Sequence, residues 1–221
     1  RRSNSGIAAE ATGRVISPKK WQTIDHANIS FGQAILVSPL QMVSAANVFA
    51  NEGEWVPPFI VEYAVDKNGN KLQEIKDVGG KVSHKFGLGV RSRVVEGSVA
   101  EPVKKYLISV TQKGGTAQKA AILGYQVAGK TGTSQIYDQQ LGRYSQTRYI
   151  ASFVGFAPAS DPLVTVLVVV EQPRTSIYGG TIAAPIFKEI VQRTLLFKDV
   201  LPFPEENSEG TTALLETTVI Q

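Results

Sequence analysis

The sequence contains no cysteine. This excludes disulfide frameworks, thiolate metal sites and cysteine nucleophiles, and leaves the redox compartment open. Histidine is almost as scarce: His26 and His84 are the only two. No Asp or Glu stands at a spacing that suggests a triad or a metal site, so both histidines are read as solvated surface residues, and neither metal nor cofactor is expected. No stretch approaches the ~20 apolar residues of a membrane-spanning helix, and no secretory leader precedes the first segment. The chain opens on Arg1-Arg2-Ser3 without an initiator Met, so its start is read as a cut, with any anchor expected upstream. A block of like charge is missing too. The net charge is +4, and Lys and Arg are scattered rather than gathered into an aromatic-interleaved basic stripe, which argues against nucleic acid as a partner.

What is present suffices for one core: 43% of the 221 residues are hydrophobic and 19% charged. The first thirty residues mix Gly, Ser, Pro and charge and read as loop. Ser38-Pro39-Leu40-Gln41 then combines an N-cap hydroxyl, Pro at the first helical position and Gln at the third, which predicts a capped helix over 39–52 ending at Gly53. A β-rich run from Phe59 to Ile75, broken by Asn68-Gly69, predicts a two-stranded hairpin. Val103, Tyr106, Leu107 and Val110 recur at helical spacing behind Pro102, predicting a second helix over 102–113. Strands are predicted at Tyr125–Thr133, Tyr149–Phe156 and Leu163–Val170, with a polar linker from Ser134 to Arg148. After Gly179-Gly180, a helix is predicted with Thr181 as its cap, Pro185 near its first turn, and Phe187, Ile190, Val191, Thr194 and Leu195 along one face. The acidic, Thr-rich segment 199–221 has little to bury and is expected to be a disordered tail behind a domain spanning 1–198.

Lys130-Thr131-Gly132-Thr133 ends the first of those strands. Lys-Thr-Gly is one of three signatures of the serine acyltransferases that include β-lactamases and penicillin-binding proteins. Alone it is a weak signal, but its surroundings are specific. Gly114-Gly115-Thr116-Ala117 precedes it. Arg143-Tyr144, Tyr149-Ile150-Ala151-Ser152-Phe153-Val154-Gly155-Phe156-Ala157-Pro158, Tyr178-Gly179-Gly180 and Ala183-Ala184-Pro185-Ile186-Phe187 follow it in order. With Phe31-Gly32-Gln33-Ala34 upstream, the series resembles the C-terminal half of class B penicillin-binding proteins from about Ser5 to Leu196. Two departures are local. Ala34 stands where the family often has the last glycine of Gly-Gln-Gly, and Gly6-Ile7-Ala8-Ala9-Glu10 matches the usual Gly-Ile-Asp-x-Pro-Gly-Glu only loosely.

The resemblance implies an α+β fold, an antiparallel sheet backed by helices, as the C-terminal portion of a penicillin-binding-protein and β-lactamase-like transpeptidase domain. It implies D,D-transpeptidation of peptidoglycan stem peptides ending in D-Ala-D-Ala through an acyl-serine intermediate, with β-lactams as mimics. It also implies cell-wall synthesis proteins as partners and a location on the extracytoplasmic face of the bacterial cytoplasmic membrane. Lys130 and the hydroxyls of Thr131 and Thr133 would hold the substrate carboxylate. Gly132 would let substrate backbone approach, though a strand-end glycine explains it as well. The N–H of Thr133 would share an oxyanion hole with the N–H of the serine. The other two signatures are missing: no Ser-x-Asn occurs, and Ser17-Pro18-Lys19-Lys20, the one Ser-x-x-Lys, sits in a polar loop with Pro behind the serine. The nucleophile is therefore expected upstream of Arg1 and the chain alone is expected not to acylate. A catalytically dead or sensor-type penicillin-binding module is the alternative.

Overall fold

In a computed structural model of the chain, residues 3, 5, 10–76, 78–85, 87 and 89–202 are described. A 3-10 turn (Pro18–Lys20) and helix α1 (Thr23–Ser30) come first, followed by α2 (Pro39–Ala50); a second 3-10 turn (Gln118–Ala120) lies farther along the chain. Six short strands follow: β1 (Glu54–Trp55), β2 (Ala64–Val65), β3 (Lys71–Leu72), β4 (Glu74–Lys76), β5 (Val82–Lys85) and β6 (Ser92–Arg93). Helix α3 (Gly97–Ser109) leads into the long strands β7 (Ala128–Asp138), β8 (Arg143–Ala157) and β9 (Val164–Glu171), and α4 (Gly179–Phe197) closes the chain.

The sheet β7-β8-β9 is antiparallel throughout, with β8 in the middle and β7 at one edge among the described strands. Side chains alternate between its faces. On one face Ala128, Lys130 and Gly132 stand opposite Phe156, Val154 and Ser152; there Ala128 and Phe156 pack with Ala50 of α2, Ala159, and Leu107 and Ile108 of α3. On the other face Gly129, Thr131 and Thr133 stand opposite Gly155, Phe153 and Ala151. Phe153 meets Phe187 of α4 edge to face at 4.8 Å, and Val191 and Leu195 continue that buried stripe. The expected α+β architecture, a helix-backed antiparallel sheet, is the one observed.

Several boundaries differ from the sequence reading, each for a local reason. The loop expected over the first thirty residues contains α1, which buries nothing and so carries no apolar periodicity to betray it. It is held at its ends instead. The Gln22 N–H donates to Asp25 Oδ2 at 2.8 Å, and a Schellman exit runs Gly32 N–H to Ile29 O and Gln33 N–H to Asn28 O. Helix α3 starts at Gly97, ahead of the predicted Pro102, and stops at Ser109 rather than 113. Pro102 removes only the bond to the Ser98 carbonyl, and both residues lie on the exposed side. The supposed linker 134–148 is mostly strand, because Tyr137 packs edge to face on Tyr144 at 5.4 Å and Asp138 pairs with Arg148. The turn of the β2–β3 hairpin is longer than two residues. Gly69 alone takes a positive φ, and the Asp66 carboxylate accepts from the N–H groups of Asn68 and Asn70. The side-chain amide of Asn70, with those N–H groups, holds the exposed Asp66 carboxyl below its ordinary pKa. Helix α4 is capped by Tyr178, not Thr181; the Thr181 and Ile182 N–H groups both donate to the Tyr178 carbonyl. Residues 203–221 of the expected tail lie outside the described residues. Before them, Val200 packs on the core and its carbonyl accepts from Tyr125 Oη at 2.6 Å.

Ala34, at the departure from Gly-Gln-Gly, adopts φ +60. An L-residue pays about 1–2 kcal/mol there, partly offset in a glycine variant by the larger entropy of its unfolded chain. Ala34→Gly is therefore expected to stabilise the protein by about 0.5 kcal/mol, read as a higher urea midpoint with unchanged slope. A lower midpoint would contradict the strain.

Candidate active site

The sheet places the Lys130–Thr133 segment on an exposed edge strand, and the side-chain geometry follows from the pleat. Lys130 is exposed on the α2 and α3 face, and its ammonium curls around the edge of β7. There Nζ donates to the Thr131 carbonyl at 3.0 Å and lies 3.4 Å from Thr131 Oγ1. Thr131, from the opposite face, brings its hydroxyl to the same edge, where it lies 3.3 Å from the hydroxyl of Thr116. A cation and two hydroxyls thus meet at one rim. Among the described residues Lys130 enters no ion pair, so its charge is free to meet an anion from outside.

Thr133 is half-buried, and its Oγ1 donates to the Ile177 carbonyl at 3.3 Å, the long end of a hydrogen bond. That contact ties β7 to the segment entering α4. A Cβ on Gly132 would sit 2.4 Å from Ser152 Oγ, a hydroxyl that can rotate aside. Gly129 is more constrained, since its Cβ would fall 2.4 Å from Cζ of the buried Phe153 and 2.8 Å from the Val154 carbonyl. The two glycines opening α4 are equally tight. Gly179 presses on the carbonyl oxygens of Ser152 and Gly132, and Gly180 on that of Thr116 and on Thr131 Cγ2. The start of α4, the loop carrying Thr116 and the motif strand therefore form one close-packed unit.

The remaining polar features do not join this unit. Ser17 and Lys20 are exposed on a turn that buries nothing. His26 is exposed and stacks edge to face on Trp21 at 5.1 Å, and the side chain of His84 is outside the described residues. Two cavities, of about 310 Å³ beside Glu54, Arg93, Lys104 and Asp161, and about 420 Å³ beside Gln41, Val48, Trp55 and Val94, include none of the motif residues.

The family model for the penicillin binding protein transpeptidase domain matches residues 2–192. The chain belongs to that family. A probable peptidoglycan D,D-transpeptidase PenA of Neisseria flavescens is 33% identical over 202 residues, covering 91% of this chain and 44% of that protein. The stage V sporulation protein D of Bacillus subtilis is 33% identical over 190 residues, covering 86% of this chain and 27% of that protein. The chain thus spans less than half the length of either relative. Among solved structures, penicillin binding protein 3 of Mycobacterium tuberculosis complexed with ampicillin superposes with a TM-score of 0.78 at 28% identity, covering 93% of this chain and 44% of that one. The transpeptidase domain of Burkholderia pseudomallei penicillin-binding protein 3 superposes with a TM-score of 0.70 at 32% identity, covering 90% and 54%. The resemblance read from the ordered motifs is the one these transpeptidases share.

Sequence reasoning gave no role to Thr116 or Ile177. In the sequence Thr116 stands out only as part of Gly114-Gly115-Thr116-Ala117, and Ile177 only as the neighbour of Tyr178-Gly179-Gly180. Their link to the motif strand is a contact across the fold, with no local pattern to announce it.

Proposed function

We propose that this chain is the carboxylate-recognising part of a serine peptidoglycan D,D-transpeptidase. The observation that supports it most is the ammonium of Lys130, in no ion pair among the described residues, gathered with the Thr131 hydroxyl on a sheet edge inside a domain of this family. In this reading the terminal carboxylate of a stem peptide ending in D-Ala-D-Ala is held by Lys130 and Thr131. The Thr133 hydroxyl joins when the bound anion outcompetes its long bond to Ile177. The penultimate carbonyl then lies along β7, where the Thr133 N–H and the N–H of the nucleophilic serine stabilise the oxyanion. Serine Oγ, supplied from upstream of Arg1, attacks that carbonyl carbon; the C–N bond breaks and D-Ala leaves with a proton. An amine of a second stem peptide attacks the ester, forming the cross-link and returning the serine. A β-lactam follows the first step, but its cleaved amide nitrogen stays tethered, so the ester persists. Cell-wall synthesis proteins as partners and an upstream membrane anchor belong to the same reading; no helix among the described residues is itself long and apolar enough to cross a membrane.

The test is covalent labelling by a fluorescent penicillin of the protein expressed with all residues that its gene encodes before Arg1. A labelled band that survives denaturation is expected, and its loss when the upstream serine is replaced. A gene that encodes no upstream Ser-x-x-Lys, or a complete protein that takes up no label, would favour the second reading. That reading is a penicillin-binding module without turnover, and it is motivated by the missing Ser-x-Asn within this sequence.

A further inference from the structure

Thr131 Oγ1 has two near neighbours, Lys130 Nζ at 3.4 Å and Thr116 Oγ1 at 3.3 Å. A hydroxyl has one proton to give and two lone pairs to fill. Lysine is a donor only, so it occupies one lone pair of Thr131. If Thr116 donates as well, both lone pairs are taken, and the Thr131 proton points away from both neighbours, at whatever lies against the strand edge. That is the polarity an anion requires. Were the Thr116 hydroxyl missing, the Thr131 hydroxyl would be free to rotate, and an incoming carboxylate would have to reorient it.

Thr116 is placed for this by packing rather than by chance exposure. Gly115 permits its loop to turn back on α3, where a Cβ would meet the carbonyl oxygens of Val110 and Ser109 at 2.2 and 2.4 Å. Ala117 and Ala120 after it are fully buried in the core beside α4. From the other side Gly180 closes on the Thr116 carbonyl, with room for no side chain. The backbone of Thr116 is clamped while its side chain stays exposed toward the β7 edge. A clamped backbone carrying an accessible hydroxyl is the arrangement expected of a residue that orients another.

We propose that Thr116 is a positioning residue for carboxylate recognition. It donates to Thr131, so that the Thr131 hydroxyl, with the Lys130 ammonium, presents a proton to the substrate's terminal carboxylate. The proposal rests on the transpeptidase reading above and names a residue that this reading does not use.

The experiment compares wild type, Thr116→Val and Thr116→Ser in the complete protein, using a thioester depsipeptide with a free terminal carboxylate, its carboxamide counterpart, and benzylpenicillin. Thr116→Val is expected to raise KM for the carboxylate substrate about tenfold with kcat little changed. It should slow benzylpenicillin acylation by a similar factor at low concentration and raise KM for the carboxamide much less, because a neutral amide oxygen accepts from Thr131 more weakly than a carboxylate. Thr116→Ser, which restores the hydroxyl, should recover most of the loss, and all three proteins should melt together. Equal losses on carboxylate and carboxamide, no loss on either, or failure of the serine variant to rescue would each overturn the proposal. Failure of the transpeptidase reading looks different, since wild type itself would then be inert toward all three compounds.

Discussion

Replacing Lys130 by methionine in the complete protein is expected to slow penicillin acylation about a hundredfold while leaving the thermal midpoint nearly unmoved. A hydrogen bond to a charged group is worth about 1.5–3 kcal/mol, and each ~1.4 kcal/mol is a factor of ten. Losing the ammonium from an anion site thus accounts for one to two orders of magnitude. Stability is spared because Lys130 is exposed and forms no ion pair among the described residues; its intramolecular bonds reach only the neighbouring Thr131. Arginine keeps the charge but replaces a rotatable ammonium with a longer planar fork, so Lys130→Arg should fall between wild type and methionine. Exposure also sets a salt dependence, since the attraction reaches only about 10 Å at 0.1 M salt. The gap between wild type and Lys130→Met should narrow as sodium chloride rises. Stopped-flow acylation across a salt series measures both effects. A methionine variant acylated at the wild-type rate would remove Lys130 from carboxylate recognition, and with it the argument from the strand edge.

What could be read from the residues alone divides by the range of the interactions that decide it. The start of α2 was legible because its capping box is local: Ser38 N–H donates to Gln41 Oε1 at 2.9 Å and Gln41 N–H to Ser38 Oγ at 3.2 Å. The β9 strand was legible from its β-branched run, and α4 from the Phe187, Val191 and Leu195 stripe that the sheet buries. Helix α1 was not, because it has no buried face. Strand across 134–148 was not, because polar residues there are extended by partners on the opposite strand, Asp138 with Arg148 and Tyr137 with Tyr144. The candidate site divides in the same way. Lys130 to Thr133 stand out as a contiguous motif, whereas Thr116 and Ile177 reach it only once α3, β7 and α4 have packed. Gly132 belongs to the same contiguous motif, and the nearest obstacle to a Cβ there is the rotatable hydroxyl of Ser152 on the facing strand.

Gly179 joins the fold and the site tightly, and Gly179→Ala should be strongly destabilising. Its Cβ would lie 2.0 Å from the Ser152 carbonyl oxygen and 2.8 Å from that of Gly132, both main-chain atoms of paired strands that cannot swing aside. Overpacking a fitted core costs about 1–3 kcal/mol and sometimes more. With backbone as the obstacle, about 3 kcal/mol or more is expected, because α4 must lift from the sheet that Phe187 and Val191 cover. Gly97 provides the control. It too is the first residue of a helix, but a Cβ on it would find only the Glu52 carbonyl, at 4.0 Å. Gly97→Ala should therefore be neutral or slightly stabilising through helix propensity. Urea unfolding of the pair separates crowding from propensity: a large drop in midpoint for Gly179→Ala beside none for Gly97→Ala is expected, and similar midpoints would mean that α4 does not seat on β7 and β8 as described. The same lift would carry the Ile177 carbonyl away from Thr133 and Gly180 away from Thr116. Any Gly179→Ala protein that remains folded should accordingly acylate more slowly than its residual stability alone predicts.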